Sequence, residues 1–199
     1  MTAPWQPLLE WWFGTLESPH EIAADKGKLW FGKRDSQDLE AERFGDWVEQ
    51  ALAGGLTEWA QRPEGWLALV LLLDQLPRMI FRNTPKSFAG DLRAQALVAQ
   101  GIAADFDRQL RPIQRVFIYL VFEHCENLAV QNEAVSRYID LVAQQSEADR
   151  TLFTDYLNYA EKHQQVIARF GRFPHRNAVL GRESTAEELA FLSGPGSRF

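Results

Sequence analysis

The stretch Leu67-Ala68-Leu69-Val70-Leu71-Leu72-Leu73-Asp74-Gln75-Leu76-Pro77-Arg78-Met79-Ile80-Phe81-Arg82 decides the fold. It is apolar enough for a helix at the centre of a protein, and its second half carries charge at every fourth residue. The expected helix runs from Glu64 to about Arg82, with Pro63 at a favourable first position. Pro77 should kink or split it, because proline has no N–H and its ring meets the preceding turn. Asp74, Arg78 and Arg82 line one face if the helix continues through Pro77. Charged side chains are rarely fully buried without partners. This face is therefore either an internal Asp74–Arg78 ion pair facing a groove or one wall of a polar pocket.

Helical spacing continues on both sides of this segment. Leu8, Leu9, Trp12 and Phe13 suggest a short first helix ended by Gly14, and Ser18-Pro19 starts another turn. Ser36 to Ala53 reads as one helix, stopped by Gly54-Gly55. Thr84-Pro85 opens a helix to about Gln100, closed by Gly101. Arg111-Pro112 opens another, and helices over 128–143 and 147–169 follow. Ser184 with Glu187 reads as a capping box for a last helix to Leu192. No strand-like alternation competes and no low-complexity linker divides the chain. The expectation is all-α: a single compact array of about eight helices over residues 1–199, frayed from Ser193. The repeated tripeptides Trp12-Phe13-Gly14 and Trp30-Phe31-Gly32 read as aromatic anchors that pack loops on the core.

Composition limits the function classes. Among 199 residues the formal net charge is -6, which argues against the broad basic footprint of a nucleic-acid binder. One cysteine, Cys125, allows no intrachain disulfide and suits a reducing compartment. The run from Trp66 to Leu73 is too short to cross a bilayer, and the N-terminus has no signal-peptide pattern. A cytoplasmic protein with no membrane partner is expected.

Chemistry concentrates at two places. The apolar segment Val116–Phe122 ends in Glu123-His124-Cys125-Glu126-Asn127, where His124 and Glu126 suit a general base and its orienter, or an acid and a base. The competing reading is a histidine resting on the free carbonyls of a helix end. Cys125 lacks the spacing of a thiol nucleophile. His163 sits on an apolar face with Val166, Ile167 and Phe170, the usual place of a core histidine. His124, His163 and His175 with Asp74 or Glu126 lack ligand spacing such as H-x-x-x-H, so no metal site is expected. The sequence names no cofactor.

The second place is Arg169-Phe170-Gly171-Arg172-Phe173-Pro174-His175-Arg176-Asn177. From Gln164 to Arg182 there is no Asp or Glu, while Arg169, Arg172, Arg176 and Arg182 all fall there. These arginines either pair with acidic helices of the same chain or hold an anion. Gly171 permits close backbone approach, Pro174 stiffens the loop, and the next helix N-terminus offers further donors. Four arginines exceed what one internal pair needs, which favours the anion.

Several of these segments together resemble a known family. They are Leu71 to Arg78 with Phe81-Arg82, Phe88-Ala89-Gly90-Asp91, His124-Cys125-Glu126, Arg169 to Asn177, and Leu180 to Thr185, with the early Trp12-Phe13-Gly14 and Trp30-Phe31. The family is the bacterial domain of unknown function 924, and the likeness covers nearly the whole chain. It implies an all-helical fold similar to tetratricopeptide-repeat proteins, although no 34-residue period is visible here. Cys125 stands where the family usually has Ser, and Leu76-Pro77-Arg78-Met79 where it usually has Phe-Pro-Arg-Asn. The resemblance brings no established activity.

The functional expectation is a pocket for a small anionic, phosphorylated metabolite, with hydrolysis or group transfer as the simplest reaction class. Asp74, His124, Glu126 and His163 would carry acid–base chemistry. Arg78, Arg82, Asp91, Arg169, Arg172, His175, Arg176, Asn177 and Arg182 would hold the ligand. The rival is a helical interaction module clamping an acidic peptide or protein partner. RNA stacked on Phe170 and Phe173 is disfavoured by the acidic total.

Overall fold

The computed structural model describes residues 2–32 and 35–197, and every regular element within them is helical. The α-helices are α1 (Gln6–Phe13), α2 (Pro19–Phe31), α3 (Asp35–Ala41), α4 (Gly45–Leu52), α5 (Pro63–Ile80), α6 (Asp91–Ala103), α7 (Pro112–Glu123), α8 (Leu128–Ala143), α9 (Glu147–Phe170) and α10 (Ala186–Leu192). Short 3-10 turns lie between several of them. Proline opens α2, α5 and α7, where its missing N–H is one the helix would leave unpaired anyway. The Asn127 side chain caps α8 by accepting from the N–H groups of Ala129 and Val130, and Ser146 caps α9.

Helix α5 is central and buried on every face from Gly65 to Pro77. It packs against α3, α4, α6 and α7, while α8 and α9 run along each other and α7 lies against both. A single cluster of buried apolar side chains joins residues from α1 to α9. Both Trp-Phe-Gly tripeptides pack there. Trp12, Phe13, Trp30 and Phe31 surround Phe117 of α7, at centroid distances of 5.4, 5.4, 4.9 and 6.3 Å. Trp30 Nε1 donates to the Trp12 carbonyl at 2.9 Å and ties the two tripeptides together.

Several elements differ from the sequence expectation. Residues 19–31 form a complete helix, where only a turn was expected. The helix expected over 36–53 is interrupted by a 3-10 turn, Glu42–Phe44. Pro77 does not split α5, which runs through it to Ile80. Proline leaves the Leu73 carbonyl without its helical N–H donor, and the Gly90 backbone is packed against that carbonyl. A Cβ on Gly90 would lie 2.1 Å from the Leu73 oxygen. The segment after Pro85 is a 3-10 turn first and becomes α6 only at Asp91, next to this contact. Gly101 does not close α6. It gives the Trp66 indole room, since a Cβ there would lie 2.2 Å from the ring, and the helix continues to Ala103. The capping box of α10 is Thr185 with Glu188, one residue later than expected, because Ser184 Oγ accepts from Asn177 Nδ2. After α10 the backbone turns so that Ser197 Oγ donates to the carbonyls of Leu192 and Gly194. Arg198 and Phe199, the end of the tail expected to fray, lie outside the described residues. No helix among the described residues is long and apolar enough to cross a membrane.

Candidate functional site

Helix α5 continues through Pro77, so Asp74 and Arg78 share a face. Asp74 is 1% exposed. Its carboxylate receives Gln75 Nε2 at 2.6 Å and lies 3.2 Å from Arg78 Nη1. His124, at the end of α7, places Nδ1 2.9 and 3.0 Å from the two Asp74 carboxylate oxygens. Burial alone would raise the Asp74 pKa. The Arg78 charge, His124 and the Gln75 hydrogen bond outweigh it and hold the carboxyl well below its usual range. Burial lowers the pKa of His124, with Arg78 and Arg176 adding to the effect and Asp74 opposing it. The result is a neutral imidazole whose Nδ1–H is given to Asp74, which leaves the lone pair on Nε2.

The backbone carrying His124 is held from two sides. Gln131 Nε2 donates to the carbonyls of Glu123 and Cys125 at 2.6 and 2.8 Å. Arg176 Nη2 donates to the His124 carbonyl at 3.0 Å. Three successive carbonyls that a helix end would leave open are thus all bound. Arg176 is 6% exposed and its guanidinium lies over both Phe88 and Phe173, 4.8 and 4.5 Å from the ring centroids. It has no carboxylate to itself among the described residues. Asp91 is engaged bidentately by Arg78 at 2.9 and 3.0 Å and stands 3.6 Å from Arg176 Nη1. Arg176 Nε has no hydrogen-bond partner. Burial, reinforced by the Arg78 charge, pushes the Arg176 pKa down to about 10.

A second carboxylate–imidazole pair lies alongside. His163 Nδ1 is 2.8 Å from Glu123 Oε1 and 2.8 Å from the Tyr159 carbonyl. The His163 and His124 rings are 6.3 Å apart. His175 packs on Phe173. Burial, with the charge of Arg176, pushes its pKa down to about 3.

The structure therefore brings together Asp74, Arg78, Asp91, His124, His163, His175 and Arg176. The other expected site residues are occupied by internal partners. Glu126 accepts from the Phe173 N–H at 2.7 Å and takes Arg182 bidentately at 2.6 and 2.9 Å. Arg182 Nε donates to Asn177 Oδ1, and Asn177 is fully buried. Arg172 grips Glu188 bidentately at 2.7 and 2.8 Å, which brings the Glu188 pKa down to about 2. Arg169 pairs with Glu187 on the surface, and Arg82 pairs with Asp38 at 2.6 and 2.8 Å, away from Asp74. Internal pairing, the alternative to an anion clamp, thus describes Arg82, Arg169, Arg172 and Arg182. The cluster also contains Gln75, Phe88, Glu123 and Gln131, which the sequence did not single out as ligands or catalysts. Glu123 carried a signal as the neighbour of His124, and Gln75 and Phe88 lay in the segments of the family resemblance, whereas Gln131 carried none.

Cys125 is buried, its Sγ 3.3 Å from Gln95 Oε1, and burial raises its pKa, so the thiol is protonated and poorly nucleophilic. Among the described residues no group of three or more His, Cys, Asp or Glu side chains could hold a metal ion. A groove of about 510 Å³ and another of about 250 Å³ lie elsewhere on the surface, neither lined by Asp74, His124 or Arg176.

A family model described as a bacterial protein of unknown function, DUF924, matches residues 8–196. A solved structure of a protein of unknown function from Agrobacterium tumefaciens is 35% identical in sequence. It covers 89% of this chain and 100% of its own, with a TM-score of 0.73. Among curated proteins none matches.

Proposed function

The chain belongs to the DUF924 family, and from that premise we propose that the Asp74–His124–Arg176 cluster binds a small anionic metabolite. Phosphorylated compounds are the first class to test. One observation carries this reading: an imidazole held by a buried carboxylate stands beside a buried guanidinium whose nearest carboxylate, Asp91, is taken bidentately by Arg78. An anion would give Arg176 the counter-charge that Asp91 gives mainly to Arg78. The His124 side chain is 14% exposed and that of Arg78 19%, so the approach is from their side. His124 Nε2 would take a proton from water or a ligand hydroxyl, and Asp74 would stabilise the imidazolium formed. Hydrolysis or group transfer is the reaction class this pair suits.

The test is thermal denaturation against inorganic phosphate and a panel of phosphorylated and carboxylated metabolites. A ligand at about 100 times its dissociation constant stabilises by about 2.7 kcal/mol, a shift of roughly 5 °C or more for a chain of this size. The expected result is a selective shift by one anion class, lost in Arg176→Met and retained in His124→Asn. A flat panel would set the reading aside. Reproducible capture of one acidic protein partner, lost on Arg172→Ala, would replace it with an interaction module.

A further inference from the structure

The larger groove has its own chemistry, independent of the His124 cluster. It is a shallow, open groove of about 510 Å³ lined by Pro7, Glu10, Trp11, Arg43, Phe44 and Trp47. Trp11 and Trp47 are half-buried along it and Phe44, 5% exposed, packs between them beneath Arg43, with successive ring centroids 5.2 and 5.7 Å apart and the Phe44–Trp47 pair stacked. The Arg43 guanidinium lies over Trp11 and Phe44, 5.1 and 4.6 Å from their centroids. It is exposed and makes no ion pair among the described residues. The Trp47 indole N–H also has no hydrogen-bond partner there, whereas Trp11 Nε1 donates to Glu40. Phe44 and Arg43 belong to the 3-10 turn Glu42–Phe44, which interrupts what the residue spacing reads as one helix. The local helical preference is overridden where Arg43 is set on the rings. Departures of this kind are expected at sites with a task.

We propose that this groove binds a flat aromatic monoanion, its carboxylate on Arg43 and its ring beside the guanidinium, against the half-buried Trp11 and Trp47. Stacking pre-orients the guanidinium, so less side-chain freedom is lost when it pairs with a carboxylate. Charge sets the selectivity. Glu10, held by Gln6 Nε2 at 3.0 Å, lines the same groove and repels a second negative charge, so a monoanion is preferred to a phosphate dianion.

The test uses 2-naphthoate as probe, with 2-naphthylmethanol as the neutral control and 2-naphthyl phosphate as the dianion. The indole N–H resonances of ¹⁵N-labelled protein are followed by NMR, those of Trp11 and Trp47 being assigned from Trp11→Phe and Trp47→Phe. Saturable shifts of these two resonances are expected with 2-naphthoate. Affinity should be about tenfold weaker for the alcohol and at least as much weaker in Arg43→Gln, and the phosphate should bind less tightly than the carboxylate. Arg43 is exposed, so the variant should fold, and its other indole resonances serve as the check. No saturable shift at the solubility limit would overturn the proposal. So would equal binding of the alcohol, or undiminished binding in folded Arg43→Gln. The His124 reading is untouched by either outcome, because none of these residues belongs to that cluster.

Discussion

At the scale of single residues, the arginines separate by what they leave behind when removed. Removing Arg182 strands Glu126, which also holds the Phe173 N–H. The pair is about a quarter exposed, which moderates the loss, so Arg182→Met should lower stability by about 1–2 kcal/mol. Arg176 strands no carboxylate, since Asp91 keeps its bidentate bond from Arg78. Arg176→Met should therefore stay within about 1 kcal/mol of wild type, or exceed it, because an apolar isostere removes a poorly compensated buried charge. Urea midpoints of the two variants decide this. A loss from Arg176→Met as large as that from Arg182→Met would make Arg176 one more structural pair. His175 gives a second prediction. Its folded pKa of about 3 lies below the unfolded value of about 6.5, so over that interval the folded state binds fewer protons. Stability then falls as pH drops below about 6.5, by at most about 1.4 kcal/mol per unit. The depressed carboxyls Asp74, Glu126 and Glu188 act lower down: their contribution is lost from the unfolded carboxyl range at about 4 towards their folded values. His175→Gln should flatten the dependence between about pH 6.5 and 4.5, leaving the part due to His124. An unchanged slope would show that His175 is not the group responsible.

At the scale of elements, close backbone approach decides where the helices of the central layer begin and end. Gly101 lets α6 lie on Trp66, whose Nε1 donates to the Leu97 carbonyl of the same helix. Gly101→Ala forces a methyl into the indole, and overpacking of this kind lowers stability by about 1–3 kcal/mol or more. In Gly90→Ala the methyl meets the Leu73 carbonyl, which is backbone and cannot rotate away. The loss should therefore be at least as large, and α6 should shift with its Asp91. Thermal unfolding of both variants checks this, and wild-type midpoints would contradict the packing described. The same contacts show what could be read from the chain alone. Apolar period and proline openings marked α5, α7, α8 and α9, because these helices bury wide faces. Helix α2 escaped notice because only Ile22 and Trp30 are buried along it. The breaks at Glu42–Phe44 and Gly90 come from distant partners, Trp11 and Leu73, which local preference cannot anticipate. The site divides likewise. Asp74–Arg78 was legible as an i,i+4 pair. His124 meets Asp74 across 50 positions and Arg182 meets Glu126 across 56, so the sequence could suggest the groups but not which carboxylate serves which base.

At the scale of the molecule, the His124 cluster is assembled from parts held with unequal strength. Asp74 and His124 belong to helices of the main core, whereas Arg176 comes from the segment that follows α9. That segment meets only a small apolar cluster at the end of α9, where its Phe173 and Phe191 pack with Val166, Ile167 and Phe170 of the helix. Its docking depends on polar contacts: Glu126 on the Phe173 N–H and Arg182, and Arg176 on the His124 carbonyl. A unit with few buried apolar contacts opens at lower free energy than the global transition. Amides of residues 172–192 should therefore exchange with solvent through a partial opening that leaves α5 and α7 protected. Glu126→Gln weakens the grip on Arg182 and should speed exchange there by about tenfold for each 1.4 kcal/mol removed, with little change in α5. An anion bound at Arg176 should slow the same amides, since it is held only while the segment is docked. Native-state hydrogen exchange with and without the ligand found in the denaturation panel tests both expectations. If residues 172–192 exchange only with global unfolding, Arg176 is built into the core, and ligand binding must then be argued from a preformed site rather than from one completed by docking.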